Sequence, residues 1–313
     1  MDFNNKYSRV NNSFRRKCIF RIGVSEGFFS ELNNMIFALL YCMENKTQFI
    51  LTDAGANFAS WSQIPYEEYF TPFCKINRDK IHKRFNVRDR GVASSFRKKH
   101  KLKVWFYKTA KGVRFFTQDI FDKVYPAYYD KDINIPELNI KGMTYDVIKP
   151  FAKMVWNFNS KTRIRLDNVI KNMNLPEKYA AIQTRRGDKF TIYNCASPEP
   201  EKYMEILKQK SDIKDVLLLS DDYCDVEKFI SNYPQYNFYT FCKPSEHGYS
   251  NQSFQAMERE KKDERLIELL ATVDAMTRAE IFIGTEIANP QLLLKMIMDS
   301  DKFYLVEKFF REN

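Results

Sequence analysis

The sequence predicts an α/β protein: two Rossmann-like domains, GT-B-like in arrangement, facing a cleft. Short apolar runs alternate with segments of helical period along most of the 313 residues, the pattern of parallel strands joined by helices. That length suffices for one large or two ordinary α/β domains, each with its own core. With 44% hydrophobic and 29% charged residues, the composition is that of a folded chain rather than a disordered one.

In the first half, residues 18–22 and 48–51 read as strands, separated by a helix over 29–43. A basic stretch follows, then a strand at 103–107, and helices over 116–123, 145–156 and 161–173. The second half alternates more cleanly. Strands are expected at 179–184, 215–220, 236–241, 281–284 and 303–306, the second of them (Val216-Leu217-Leu218-Leu219) apolar throughout, as a strand buried on both faces must be. Helices fall between them at 200–209, 226–232, 263–279 and 290–298, the first and last with proline in the opening turn. The domain boundary is expected within 160–176, dividing a domain 1–165 from a domain 166–313.

The longest apolar run, from Met35 to Met43, is far shorter than the ~18 residues of a membrane span. The opening Met1-Asp2-Phe3-Asn4-Asn5 lacks the layout of a signal peptide, so a soluble, cytoplasmic location is expected. The six cysteines form no CxxC pair and fit neither a zinc site nor a disulfide framework. Histidine is scarce, at His82, His100 and His247 only, which disfavours a three-histidine metal site or a catalytic triad. Asp-x-Asp triplets occur at Asp130-Lys131-Asp132 and Asp299-Ser300-Asp301, neither after a convincing buried strand.

The net charge of +10 is concentrated in residues 75–103, which hold 12 Lys or Arg and 2 Asp, 12 − 2 = +10. Such a block is a solvated face, or a surface for an anionic membrane, an acidic acceptor or nucleic acid. No zinc finger or RNA-recognition motif accompanies it, so nucleic acid is not expected as a partner.

Three turns carry the chemistry. Gln183-Thr184-Arg185-Arg186-Gly187-Asp188-Lys189 ends a strand with three cations, and arginine forks suit phosphate oxygens while Gly187 permits close backbone approach. Ser220-Asp221-Asp222 ends the next strand, with carboxylates suited to ribose or base donors. Thr285-Glu286-Ile287-Ala288-Asn289 joins a strand to a helix whose N-terminus suits a phosphate.

The first of these resembles the His-x-Arg-Arg-x-Asp-Lys motif of the α1,6-fucosyltransferases, relatives of the nodulation and protein O-fucosyltransferases. Further along, Leu219-Ser220-Asp221-Asp222, the segment from Leu270 to Glu280, and Ile283-Gly284-Thr285 resemble that superfamily in order. Gly27-Phe28-Phe29-Ser30-Glu31-Leu32-Asn33 is similar to its Gly-x-Gly-x-Gln-Leu segment. The match spans about two thirds of the chain and is thin between 55 and 140.

The resemblance implies a GT-B-type fold, GDP-fucose as donor, inversion at the anomeric carbon, no metal and no cofactor beyond the nucleotide sugar. The acceptor is a glycan or glycoconjugate, and another nucleotide sugar on the same fold is the alternative. Arg185 is implied to clamp the departing diphosphate, with Asp188 a catalytic partner, Glu26 a candidate base, and Glu31 and Asp53 further carboxylates to weigh. The donor is implied to meet Gly27, Phe28, Asn33, Gln183, Arg186, Lys189, Ser220, Asp221, Asp222, Thr272, Asp274, Thr285, Ala288 and Asn289. The sequence departs from the family at Gln183 (histidine there), Thr272 (the guanine-reading aspartate, with Asp274 two places on), Ala288 (serine) and Tyr193 (an acidic residue).

Overall fold

A computed structural model of the chain describes residues 2–23, 27–53, 66–88, 90–186, 197–249, 251–286 and 288–312. The chain divides into two compact units, Met1–Thr162 and Arg163–Asn313.

In the first unit, β1 (Arg16–Arg21), β2 (Thr47–Thr52) and β3 (Val113–Phe116) form a parallel sheet in the order β2-β1-β3. Helix α1 (Phe3–Ser13) precedes β1, and α2 (Phe28–Glu44) carries the chain from β1 to β2. Of the 17 residues of α2, 14 are buried, so it is a core helix rather than a surface one. The basic stretch contains α3 (Ile81–Phe85), α4 (Arg90–Lys99) and the start of α5 (Lys101–Lys111). After β3 come α6 (Thr117–Val124), a hairpin of β4 (Asp132–Ile135) and β5 (Ile140–Met143), and the short helices α7 (Thr144–Val147) and α8 (Lys149–Val155).

Two expectations for this unit fail, and one helix goes unforeseen, for identifiable reasons. The strand expected at 103–107 lies inside α5: Val104 alone of that run is buried, and lysines with high helix propensity surround it. Gly112, at φ 66°, ends the helix in the left-handed conformation glycine tolerates, and the strand begins one residue later. The helix expected over 145–156 is broken in two, with Pro150 in the first turn of α8, where its missing N–H leaves no bond unmade. Helix α1 is not legible in sequence because it buries only Tyr7, Val10 and Asn11, too few positions to set a period.

In the second unit, which opens within α9 (Ser160–Asn172), five parallel strands run in the order β10-β9-β6-β7-β8. They are β6 (Ala180–Gln183), β7 (Asp215–Leu219), β8 (Asn237–Tyr239), β9 (Ile281–Gly284) and β10 (Phe303–Leu305). The connecting helices are α10 (Pro200–Lys210), α11 (Tyr223–Asn232), α12 (Asn251–Ala256), α13 (Arg259–Met276), α14 (Asn289–Ile297) and α15 (Val306–Glu312). Residues of one parity along the strands, such as Ile182, Leu218 and Ile283, pack against Tyr203 and Leu207 of α10, Phe229 of α11 and Phe309 of α15. The opposite parity, Ala181, Leu217 and Phe282, is fully buried as well, as a sheet covered on both faces requires. At Gly284 a Cβ would lie 2.7 Å from the Phe282 ring, so the packing itself demands glycine.

The first strand of this unit in sequence, β6, sits at the centre: β7 and β8 lie to one side, β9 and β10 to the other. The direction of winding therefore reverses between β6 and β9. In open α/β sheets ligands collect outside the carboxyl ends of the strands at such a switch point.

Candidate active site

The register aligns Gln183 with Leu219, so the turns after β6 and β7 leave the sheet side by side. Asp221 joins them. Its Oδ1 accepts the backbone N–H of Arg186 at 2.7 Å, and its Oδ2 pairs with Nη1 of Arg185 at 2.9 Å and accepts the N–H of Tyr249 at 3.1 Å. The guanidinium of Arg185 also lies over the ring of Tyr249, 4.9 Å from its centroid. Arg185 is thus oriented by a carboxylate and an aromatic face, while its side chain keeps 18% exposure.

Arg186, the next residue, has a different role. Its Nε donates to both oxygens of Asp225 at 2.8 and 2.9 Å, and Nη1 reaches Glu199 at 3.3 Å and the carbonyl of Ser197 at 3.5 Å. Burial works against its charge, but Asp225 and Glu199 outweigh that and raise its pKa above the usual value. Nε and Nη1 of Arg186 hold the turn, while its Nη2 is buried without a hydrogen-bond partner.

The acidic turn is likewise mostly structural. Ser220 Oγ accepts from the N–H of Asp222 and donates to its carbonyl, closing a tight turn. Asp222 caps α11 by accepting the N–H of Cys224 at 3.0 Å. Asp221, expected with Asp222 to meet the nucleoside, fixes Arg185, and Asp222 fixes the start of α11.

After β9, Thr285 Oγ1 donates to Glu307, which also accepts the N–H of Glu286 at 3.0 Å, so Thr285 is tied to α15. Ala288 is the N-cap of α14 and has no side-chain oxygen to cap it; Asn289 is its first residue. The first-turn amides of α14 lie at the same sheet edge, beside the switch point.

Thr272 and Asp274 stand apart from this edge. Helix α13 precedes β9 and runs antiparallel to it, so its last turn lies at the amino ends of the strands. Tyr179, just before β6, donates to the carbonyl of Ala275 at 2.8 Å. There Asp274 is held by Arg163 at 2.7 and 3.2 Å and by Arg278. Thr272 Oγ1 donates to Glu268 within its own helix at 2.8 Å. The fold gives Asp274 a place in an ion-pair network, not at the carboxyl edge.

Besides Arg186 Nη2, two buried polar atoms remain unsatisfied at the end of β6. Gln183 Oε1 and Thr184 Oγ1 have no hydrogen-bond partner, although each residue is only 3% exposed. An unmatched buried acceptor costs about 1–3 kcal/mol, which a ligand's N–H would relieve. Gly187, Asp188, Lys189 and Tyr193 lie outside the described residues, as does Glu26 in the first unit.

Among the described residues, one trio could hold a metal ion: Asp222, Cys224 and His247. His247 Nδ1 lies 3.9 Å from both Cys224 Sγ and Asp222 Oδ1. The hydrogen bond and charge of Asp222 raise the thiol's pKa, which disfavours the thiolate that a metal requires.

The carboxyl edge of the first unit's sheet is built differently. Among the described residues, a Cβ on Gly27, at the N-terminus of α2, would meet nothing within 4 Å. The Phe28 side chain is 2% exposed, stacked on Phe70 at 5.9 Å and edge-on to Phe29 at 5.2 Å. Asn33 is buried at 3% within α2. Glu31 accepts the N–H of Gly23 and interacts electrostatically with Arg21, a closed structural arrangement. Asp53, after β2, is 7% exposed; Arg78 lies 3.5 Å from its Oδ1, and its Oδ2 is buried without a partner.

Sequence reasoning missed Tyr249, Asp225 and Glu307. Tyr249 sits in a polar loop with no periodicity, while Asp225 and Glu307 occupy first turns of helices, where the helix dipole alone accounts for an acid.

No family model matches the sequence, and no curated protein matches it. Solved structures do. The NodZ α1,6-fucosyltransferase soaked with GDP-fucose is 12% identical, with 90% of this chain and 92% of that one aligned at a TM-score of 0.54. Fucosyltransferase NodZ from Bradyrhizobium is 11% identical over 90% and 93% of the two chains, with a TM-score of 0.50. POFUT1 in complex with GDP is 11% identical over 93% and 98%, with a TM-score of 0.52. At these identities the likeness is one of fold: the chain shares the α/β fold of these fucosyltransferase structures.

Proposed function

We propose that this chain is an inverting glycosyltransferase that transfers fucose from GDP-fucose to a hydroxyl of a glycan or glycoconjugate, without a metal ion. The observation that carries the reading is Arg185, a partly exposed guanidinium at the switch-point end of β6, oriented by Asp221 and Tyr249. The fold it shares with structures solved with GDP-fucose and GDP supports the same donor.

In this reaction the acceptor oxygen bonds the anomeric carbon as the bond from that carbon to the diphosphate breaks on the opposite face. The charge developing on the leaving GDP falls to Arg185 and the amides of α14, which supply what a metal supplies elsewhere. Lys189 adds a further cation. Gln183 Oε1 accepts from the base, and Asn289 borders the phosphates. The acceptor's proton passes to a carboxylate. Glu26 and Asp188 are the assigned partners, and Asp53, with its unpartnered oxygen, is a third candidate; Glu31 is dropped because Gly23 and Arg21 engage it.

Calorimetry with GDP and UDP tests the donor: GDP binding with UDP excluded is expected, and heat from neither would overturn the assignment. Gln183, in place of the family's histidine, favours a second reading in which another nucleotide sugar is used, and preferential hydrolysis of such a donor would select it. Transfer should persist in EDTA. If EDTA abolished it and Cys224→Ser did the same, the Asp222, Cys224 and His247 trio would be the metal site.

A further inference from the structure

Helix α5 is apolar on its outward side. Leu102, Trp105, Phe106 and Thr109 recur at the spacing that places them on one stripe, and the first three are 80%, 61% and 69% exposed. Inward, Val104 packs with Phe85 and Val113 in the core beneath the helix. A surface helix normally shows the reverse, and clustered exposed apolar side chains mark a contact surface.

Cations frame the stripe. Lys98, Lys99, Lys101, Lys103 and Lys111 are exposed around it. Two acidic neighbours are already engaged: Asp79 accepts Tyr107 Oη at 2.8 Å, and Asp119 accepts Lys108 Nζ at 2.7 Å. Beside Trp105 an open cleft of about 560 Å³ is lined in part by Arg16, Lys108 and Arg114.

We propose that this face docks on an anionic membrane surface, with Leu102, Trp105 and Phe106 entering the headgroup layer and the flanking lysines meeting lipid phosphates. Charge complementarity selects an anionic surface, and a protruding Leu-Trp-Phe stripe between lysines selects a lipid one, since such helices lie in the interface plane. Single-stranded nucleic acid calls instead for aromatics set in a groove that tracks the backbone. The contact is peripheral: no helix among the described residues is long and apolar enough to cross a membrane.

The test is co-sedimentation of the full chain with vesicles of phosphatidylcholine alone and of phosphatidylcholine with phosphatidylserine. Binding to the second only is expected, weakening as salt rises. Fluorescence should shift to the blue as Trp105 leaves water, a shift that Trp105→Phe should remove while Trp61 and Trp156 remain. The combined substitution Leu102→Gln, Trp105→Gln, Phe106→Gln should weaken binding at least about tenfold. Lys101→Gln and Lys103→Gln should each weaken it about fivefold. All these positions are exposed, so thermal melts should be unchanged. The proposal is overturned by a lack of binding to the anionic vesicles, by binding that the apolar substitutions leave intact, or by preferential capture of single-stranded RNA.

Discussion

At the carboxyl end of β1, Arg21 is 7% exposed, and its Nη1 is surrounded by the carbonyl oxygens of His82, Lys83 and Asn86 at 3.3, 3.0 and 3.4 Å. At the carboxyl end of β6, Arg185 meets a carboxylate on one side and a tyrosine ring on another, with its side chain still in reach of solvent. Both arginines end the central strand of a parallel sheet, yet one is internal glue and the other is presented. A strand-end cation becomes a site when its partners orient it without enclosing it.

Breaking each arginine should separate the two roles. Arg185→Ala should lower kcat about 100–1000-fold, the cost of losing one preorganised stabilising donor, with little change in melting temperature. Arg21→Ala should do the opposite: about 3 kcal/mol of stability lost on urea unfolding, because buried carbonyls lose a charged donor, with GDP affinity of the surviving folded protein unchanged. Equal loss of stability in both variants would remove the distinction.

The neighbours of each arginine sharpen it. Asp221→Asn keeps a side chain of the same shape but loses the charge that orients Arg185, so kcat should fall about tenfold at near-constant melting temperature.

On the β1 side, His82 is buried beneath Tyr107 and near Arg21 and Asp79, and burial is the main force lowering its pKa from 6.5 to about 4. Its neutral form is the native one, so its contribution is complete above pH 6.5 and is lost as pH falls toward 4, at roughly 1 kcal/mol per pH unit. Urea midpoints measured across that window should show this slope, and His82→Leu should flatten it.

The smallest effect on folding is expected at Gln183. Gln183→Leu removes a buried unsatisfied oxygen, so stability should hold or rise by about 1 kcal/mol while nucleotide binding weakens. A loss of stability would mean that the oxygen is satisfied without ligand.

Most of the second unit was legible in sequence because its strands are buried on both faces and read as continuous apolar runs, as in Val216-Leu217-Leu218-Leu219. The first unit was harder. Leu102, Trp105 and Phe106 suggest a strand or a core when read as composition, and only their exposure on α5 shows that they face outward.

The sequence alone determined the order of strands and helices in the second unit and the three turns that end β6, β7 and β9, and it singled out Arg185. These follow from local pattern: periodicity, turn chemistry and charge. Tertiary structure decided the rest. Arg185 and Arg186 are adjacent, chemically identical and similarly exposed, at 18% and 22%, and only the positions of Asp221, Asp225 and Tyr249 give them different partners. Asp274 looked equivalent to the other acids until the antiparallel run of α13 carried it to the opposite edge of the sheet. A side chain's chemistry is written in the sequence, whereas its partners come from distant segments brought within 3 Å by folding.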